Sequence, residues 1–472
     1  MRNESIIARS KWLIFLFVAI GIFMSTLDSS IVNIALPAIM SDFSVDLATI
    51  EWVVLVYLLT VSSLLLNFGR LSDIKGQRWV YSRGLILFSV SSLFCGLAEN
   101  ALWLIAARSF QGVGAAMIMA CTPALIVETF PVSERGMALG MVGTVVASGL
   151  TTGPALGGLL LHLFSWRVIF YVNVPIGILT AVVISRLLRG THADRTAGEP
   201  FDWIGSALLS VSLVCLVLPL SHGYSWGYMS VPTLLFFSVS VLSIIAFLWI
   251  EAKISHPVVQ LSLFSIRLFT FPVLSAIALF ISLFTVVFLM PFYLIHPCGF
   301  PIEKVGLLMI TPFIFLFFIS PVSGTVYDRF GSRILCTVGL AILAFALFSL
   351  AALNSAQSML QIAWRLALAG LGTAMFAAPN SSATMSHVPA NHRGLAAGTL
   401  ATARNLGMVI GVALAGAIFN STFYALSGGL SLKVYRPELA PIFMSSFRYA
   451  MAAGGAVAVI GAVLAFLRGA ER

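Results

Sequence analysis

Charged residues are scarce in this sequence. Asp, Glu, Lys and Arg make up 9% of its 472 residues, while hydrophobic residues make up 60%. Because a soluble domain is about 25% charged, this composition excludes a soluble enzyme, a nucleic-acid-binding domain and a disordered chain. The net charge of +9 therefore indicates basic loops on the cytoplasmic side of a membrane rather than affinity for nucleic acid.

Paired cysteines and catalytic motifs are also missing. The five cysteines are odd in number and lack the spacing of a disulfide framework or a zinc site, so we expect neither a metal nor a cofactor. The HExxH motif is absent, and the seven histidines fall in loops or at the ends of apolar runs. This pattern argues against a membrane enzyme. A sensor would need a soluble signalling domain, and the sequence contains none.

Long apolar runs, separated by short polar breaks, fill the chain. A membrane helix needs about 20 apolar residues, which predicts about fourteen spans and an all-α polytopic membrane fold. The predicted spans cover residues 12–38, 50–69, 79–98, 101–127, 137–161, 167–188, 202–220, 232–250, 269–295, 304–325, 334–353, 359–385, 395–419 and 443–467.

The distribution of Lys and Arg predicts the orientation of these spans. With the N-terminus inside, 18 of the 26 Lys and Arg residues fall on inside segments and four on outside segments. Cytoplasmic loops carry such an excess. We therefore expect both termini in the cytoplasm.

The sequence contains an internal repeat. Gly69–Arg78 recurs as Gly324–Arg333, 255 positions later, and Arg108 recurs as Arg365, 257 positions later. A six-span half needs about 180 residues, so this offset leaves room for two further spans. Repeated halves predict two pseudo-symmetric six-helix bundles with substrate near the membrane midplane. The expected parts are an N-terminal bundle (1–190), a linker with two inserted helices (191–265) and a C-terminal bundle (266–472).

Five motifs lie in order along the first half of the chain. They are Leu27–Pro37 in the first span, Gly69–Arg78 between spans two and three, Arg108–Gly114 in the fourth span, Gly149–Gly158 in the fifth and Trp166–Gly177 at the start of the sixth. With these motifs the chain resembles the fourteen-span drug:proton antiporter branch of the major facilitator superfamily over nearly its whole length. The resemblance implies rocker-switch exchange of a small molecule for protons, with the proton gradient as the energy source.

Asp28 is the deepest acid in the predicted spans. Fourteen residues separate it from Asp42 and seventeen from Lys11, which places it about 20–25 Å from either end of its helix. A carboxylate at that depth is costly and commonly functional. It can hold a proton or a cationic substrate in turn, so that binding of one accompanies release of the other. The alternative is a buried hydrogen-bond partner for a neighbouring helix.

Three of the arginines inside predicted spans are considered for function. Arg108 lies about 10 Å deep, and the resemblance gives it a role in proton coupling or substrate binding; bonds to helix carbonyls are the structural alternative. Arg365 is its counterpart in the second half. Arg404 lies about 16 Å inside its span, where it can pair with Asp28, bind an anionic group of the substrate or tie two helices together.

Other polar residues complete the candidates for proton coupling and substrate binding. Asn33 and Gln111 lie within spans and are expected to face the cavity. Glu51 lies near a span end, where an interfacial role is expected and a place on an external proton path is the alternative.

The repeated loop provides candidates for a conformational switch. Gly69 and Gly76 permit close approach and a tight turn, and an acid near a helix N-terminus is stabilised by the helix dipole. In the family this loop latches the two halves, so we expect these loops to hold the outward-open state. The candidate residues are Gly69, Asp73, Gly76, Arg78, Asp328 and Arg333.

The fifth span carries small residues at helical spacing. Glycines four residues apart let helices pack closely, and a proline within a helix frees a carbonyl and bends the helix. In the family this motif marks exporters rather than importers. Its residues are Gly149, Gly153, Pro154, Gly157 and Gly158.

Together these patterns predict a proton-coupled exporter of lipophilic or cationic small molecules, resembling multidrug efflux proteins, in a bacterial-type cytoplasmic (inner) membrane. No acid lies deep in the last six predicted spans, which disfavours a dication as substrate. The alternative is a dedicated exporter or importer of a specific metabolite or lipid; a membrane enzyme or sensor is less favoured. The expected partners are the substrate, protons and the lipid bilayer, without nucleic acid. A periplasmic adaptor is the alternative to a monomer working alone.

Overall fold

The structure is a computed structural model that describes residues 2–131, 134–187, 203–253, 261–386, 388, 393–433 and 435–469. Within these ranges the regular structure is entirely helical, and fourteen helical segments, two of them in α12, are long and apolar enough to cross a membrane. The prediction of an all-α polytopic fold is therefore confirmed. The predicted boundary at 190/191 lies outside the described residues, so the division into three parts stays a prediction.

The described helices follow in chain order. They are α1 (Arg2–Phe43), α2 (Leu47–Ile50), α3 (Trp52–Lys75), α4 (Gln77–Gly96), α5 (Ala101–Thr129), α6 (Arg135–Leu163), α7 (Val168–Tyr171), α8 (Asn173–Leu187), α9 (Trp203–Trp226), α10 (Val231–Glu251), α11 (Arg267–Ile295), α12 (Ile302–Ala351), α13 (Met359–Ser386), α14 (Arg393–Leu426) and α15 (Ala440–Leu467). Short 3-10 turns lie at Leu261–Ser265 and Pro437–Leu439.

The tenth and eleventh predicted spans are joined in α12. The chain bends between them at Gly331, which has φ of 71° inside an otherwise helical segment. Gly76, at the corresponding place in the first half, has φ of 90°. Both values lie in the left-handed region, which glycine enters without the clash that a β-carbon would cause. The repeated motif thus makes a glycine turn in each half.

The helices pack mainly within two sets, one from each half of the chain, and a single hydrophobic core runs through both. In the first bundle α1 packs on α6, and α5 packs on α3 and α4; in the second α11 packs on α14, and α12 packs on α13 and α15. The inserted helices α9 and α10 pack on each other through reciprocal hydrogen bonds, Ser212 Oγ to the Ser240 carbonyl at 3.2 Å and Ser240 Oγ to the Ser212 carbonyl at 2.8 Å. Helix α9 also contacts α3 and α14, so it lies against both bundles.

The two ends of the bundles form two faces. We call the face with Lys11 and Leu467, near the chain ends, the terminal face, and the face with the turn after α1 at Ser44 the distal face. On the terminal face Lys11 Nζ pairs with Glu134 Oε2 at 2.6 Å. On the distal face Asp42 accepts hydrogen bonds from Trp166 Nε1 at 2.9 Å and from Arg167 Nη1 at 3.2 Å.

His296, on the distal face, makes folding sensitive to acid. Its ring stacks on Tyr435 with centroids 5.1 Å apart, and its Nε2 is buried without a hydrogen-bond partner in the described structure. Burial lowers its pKa from 6.5 to about 4. The unfolded chain therefore binds this proton first, and stability is lost as pH falls from about 6.5 towards about 4, by up to about 3 kcal/mol.

We expect the thermal midpoint of the detergent-solubilised protein to fall less over this pH range in His296→Phe than in the wild type. The aromatic replacement keeps the stacking on Tyr435 and removes the titrating group. Equal acid sensitivity of the two proteins would show that other groups control this transition.

Candidate functional site

The deepest acid of the first bundle forms a buried ion pair. Asp28 on α1 and Arg108 on α5 are both fully buried, and Arg108 Nη1 donates to Asp28 Oδ2. The second carboxylate oxygen, Oδ1, accepts from Gln111 Nε2 at 3.0 Å and from Asn173 Nδ2 at 3.2 Å. The carboxylate of α1 therefore accepts from one cationic donor and one amide donor of α5 and from one amide donor of α8.

The guanidinium of Arg108 is held on several sides. Its Nη1 also donates to Gln111 Oε1 at 2.6 Å, and its Nε donates to the Val53 carbonyl of α3 at 3.0 Å. The ring of Tyr57 lies 4.1 Å from its Cζ, and a cation over an aromatic face is attracted by the ring quadrupole. Its Nη2 is buried without a hydrogen-bond partner in the described part of the chain, so one donor stays available within the site.

A second layer orients these groups. Gln111 Nε2 also donates to Ser92 Oγ on α4 at 2.6 Å, and the Tyr57 hydroxyl donates to the Ser25 carbonyl on α1 at 3.0 Å. Fixed second-layer hydrogen bonds restrict the rotamers of the groups that they contact. The pair of Asp28 and Arg108 thus belongs to a network that joins five helices of the first bundle, α1, α3, α4, α5 and α8.

Two predicted cavity residues lie outside this network. Asn33 on α1 is fully buried, but its Nδ2 donates to the Ser29 carbonyl of its own helix at 2.8 Å and its Oδ1 has no partner among the described residues. Arg404 on α14 is half-buried and makes no hydrogen bond or ion pair with the described residues. Because Arg108 pairs with Asp28, the pairing considered for Arg404 is not the arrangement in this structure.

The second half does not repeat the buried ion pair. Arg365 Nη1 donates to the Gln361 carbonyl one turn earlier at 2.6 Å, and its Cζ lies 4.5 Å from the Trp364 ring. These contacts stay within α13. The sequence repeat at this position is therefore not accompanied by a repeat of the site.

The predicted switch loops lie on the terminal face. The side chains of Asp73 and Asp328 lie outside the described residues. Arg333 Nε donates to the Phe466 carbonyl at 2.9 Å, which ties α12 to the end of α15 within the second bundle. A methyl group on Gly69 would meet open space, so close packing does not require glycine there.

The glycine run of α6 packs on two sides. A β-carbon at Gly149 or Gly153 would collide with Thr26 or Ser30 of α1. One at Gly157 would lie 2.9 Å from Ile31 Cγ1. The close helix packing expected from the spacing of these glycines is present in the structure.

The other face of the same run meets the second bundle. A β-carbon at Gly158 would lie 3.0 Å from Gly306 Cα of α12, and one at Gly306 would lie 2.9 Å from the Pro154 carbonyl. One turn away, His162 Nδ1 contacts Glu303 Oε1, and both side chains are about half exposed. The two bundles therefore touch through the distal half of α6.

Sequence reasoning missed several members of the site. Asn173 stands in the last quoted motif but was not assigned a role, and Ser92 and Tyr57 gave no signal among many similar span residues. Glu51 is fully buried, whereas an interfacial place was expected. The sequence signal that marks such residues is a polar side chain inside an apolar run. It does not show which of them contact one another, because that depends on how each helix is rotated about its axis.

Comparisons with a family model and with individual proteins point to the same family. A family model described as Major Facilitator Superfamily matches residues 18–412 and residues 272–472. The chain is 32% identical to the riboflavin transporter RibZ of Clostridioides difficile (strain 630), over 97% of each chain. It is also 32% identical to the multidrug resistance protein Stp of Mycobacterium tuberculosis, over 95% of this chain and 84% of that protein.

A solved structure shares the fold. The inward-facing, unoccupied structure of a bacterial homologue of the human lysosomal transporter Spinster superposes with a TM-score of 0.68, at 16% identity and over 97% of each chain. This likeness concerns the fold alone.

Proposed function

This chain belongs to the major facilitator superfamily, and we propose that it is a proton-coupled exporter of lipophilic or cationic small molecules. It works by rocker-switch alternating access in the cytoplasmic (inner) membrane, with the terminal face in the cytoplasm. The proton gradient is the energy source, and no cofactor takes part. The protein works as a monomer, with a periplasmic adaptor as the alternative.

The observation that supports this proposal is the buried pair of Asp28 and Arg108. A proton on Asp28 removes the charge that Arg108 neutralises, and the guanidinium keeps its bonds to Gln111 and the Val53 carbonyl. A cationic substrate would use the same carboxylate. Because a proton and a cation cannot both occupy one carboxylate, their competition produces exchange, and charged groups within a membrane commonly mark such pathways.

Export as the direction is supported by two features. The glycine and proline run of α6 resembles the motif found in exporters, and Stp is named a multidrug resistance protein. The excess of Lys and Arg on the segments of the terminal face supports a cytoplasmic location for that face.

The test uses proteoliposomes with the full-length protein, an imposed proton gradient and a trapped pH-sensitive dye. Addition of a lipophilic monocation is expected to evoke proton movement opposite to the substrate, and empty liposomes serve as the control. Substrate movement without any proton movement would overturn the antiport mechanism.

A second candidate function is export of a specific metabolite with an acidic group. The specific metabolite is favoured by RibZ, which is named a riboflavin transporter. The acidic group is favoured by Arg404, a half-buried cation without a partner among the described residues. A guanidinium binds carboxylate and phosphate through two parallel hydrogen bonds.

We expect Arg404→Gln to weaken transport of an anionic substrate about 10- to 100-fold, since a charge-assisted bond contributes about 1.5–3 kcal/mol, and to leave transport of a monocation nearly unchanged. The measurement is concentration-dependent uptake into inverted vesicles for one substrate of each charge. Arg365→Gln is the matched control, because the hydrogen bond and the ring contact of that arginine stay within its own helix. Equal losses for both charges would remove Arg404 from substrate selection.

A further inference from the structure

Glu51 is a second buried acid. Unlike Asp28, it has no cationic partner among the described residues. It joins α2 to α3 near the distal face and is fully buried. Its backbone N–H donates to the Leu47 carbonyl at 3.0 Å. Its side chain is different, because both carboxylate oxygens are buried without a hydrogen-bond partner in the described structure.

The carboxyl group of Glu51 lies against the opposite bundle. A β-carbon at Gly416 of α14 would collide with Glu51 Oε2, so the group touches bare backbone of the second bundle. Ser221 of α9 faces it without closing a hydrogen bond, and the hydroxyl of Ser221 is itself buried and unpartnered among the described residues. The first bundle, the second bundle and the inserted helices thus meet at one acid.

No cation balances this acid among the described residues. The charged group that acts on it is another carboxylate, Asp46, which caps α2 through Thr49 N at 3.0 Å and accepts from the Tyr224 hydroxyl at 3.3 Å. From α9 the Tyr224 phenol faces it and His222 interacts with the neighbouring Asp46. Helix α14 carries no titratable residue between Arg404 and Tyr424. An unpaired buried carboxylate is far more costly than a neutral acid.

We propose that Glu51 is a second proton-binding site, which holds a proton while the two bundles touch on the distal face and releases it when they part. Separation of α3 from α14 exposes the carboxyl group to water, where the anion is stable. Contact between these helices returns it to a buried environment where Ser221 faces it and no cation among the described residues balances its charge. Closure of the distal face therefore requires uptake of one proton by Glu51.

This inference rests on the proposed function only for the statement that the distal face meets the acidic side of the membrane. Under that condition, external acid drives closure of the distal face after substrate has left. Asp28 then exchanges substrate for protons, while protonation of Glu51 allows the distal face to close.

The test measures the distance across the distal face by double electron–electron resonance in full-length protein in lipid nanodiscs. Spin labels are placed by Ser165→Cys and Ser355→Cys, two exposed residues, after replacement of the five native cysteines. His162→Gln and His222→Gln are included throughout, because the pair of His162 and Glu303 also bridges the bundles and His222 of α9 interacts with Asp46. From about pH 8 to about pH 5, the distance distribution of this background is expected to shift towards the short, closed form.

Glu51→Gln has nearly the same shape without the titrating group, and we expect it to populate the closed form equally at both pH values. Gly416→Ala, which pushes on the same carboxyl group, is expected to favour the open form. An infrared band of a protonated carboxyl group, present in the closed protein and absent in Glu51→Gln, is the direct signature. A pH shift in Glu51→Gln equal to that of the background would overturn the proposal.

The outcomes separate this proposal from the transport mechanism. A pH-dependent distance that disappears in Glu51→Gln supports the second site even if no substrate evokes proton movement. Conversely, proton-coupled transport together with an unchanged pH response in Glu51→Gln would reject the second site and leave the proposed function intact.

Discussion

Asp28→Asn is expected to abolish substrate-evoked proton movement. The amide cannot take up and release a proton at the pH of the assay, so any substrate movement that remains is uncoupled from the gradient. The same change leaves the Arg108 guanidinium buried without its counterion. Breaking a buried pair from one side costs about 3–5 kcal/mol, so the unfolding midpoint should fall as well.

Loss of activity alone therefore does not separate a proton site from a structural tie. The double variant Asp28→Asn with Arg108→Gln removes both charges and keeps planar amides that can bond to Gln111 and Asn173. Removing both members of a buried pair is much less destabilising than removing one. We expect this variant to recover most of the lost thermal stability and none of the proton-coupled transport.

The measurement combines the dye assay in proteoliposomes with the thermal midpoint of each variant. Recovery of transport together with stability in the double variant would assign the pair a structural role. It would also contradict the exchange mechanism, because a site without a titrating group cannot couple to protons.

The distribution of residues along the chain was sufficient to predict the fold. Apolar runs fix the spans, because each must satisfy its backbone within a helix of membrane length, and repeated loops fix the two halves. The turns at Gly76 and Gly331 follow from the same repeat. Only the exact helix ends and the continuous path of α12 required the structure.

The contacts within the site were not predictable to the same degree. Depth along a helix follows from residue count, and so Asp28, Arg108 and Arg404 were all placed inside the membrane. Which of the two arginines meets Asp28 depends on helix rotation and on how the bundles pack, and an apolar environment on every side leaves little periodicity from which to read rotation. Asn173 was missed for this reason.

Glu51 illustrates a second limit. Its position near the start of a span suggests contact with the lipid headgroups, and that holds for an isolated helix. The inserted helix α9 and helix α14 of the second bundle cover it instead. Burial of a residue at a helix end depends on neighbours from distant parts of the chain, which a single sequence does not specify.

Gly158→Val is expected to stop transport by a different route, through shape rather than charge. The distal half of α6 meets α12 with Gly158 close to Gly306, and a branched side chain there cannot be accommodated without separating the helices. Overpacking costs about 1–3 kcal/mol, and this cost falls on the conformation in which the distal face is closed. The ratio of closed to open protein should drop about 5- to 150-fold, and turnover should drop with it.

The matched control lies on the same helix. Gly143→Val adds the same side chain to α6 at a place where a β-carbon meets open space, so helix propensity and bulk are altered equally without a clash. We expect Gly143→Val to transport at nearly the wild-type rate, and Gly158→Ala to fall between the wild type and Gly158→Val. Substrate binding by Gly158→Val, measured by equilibrium dialysis, should persist because the Asp28 site is untouched.

The distal-face distance distinguishes the two explanations for a loss of transport. If Gly158→Val acts on the conformational equilibrium, its spin-label distances are long at every pH and Glu51→Gln does not restore the closed form. If its distances match those of the wild type while transport is lost, then closure at Gly158 is not the step that limits exchange. The contact between α6 and α12 would in that case contribute to folding rather than to alternating access.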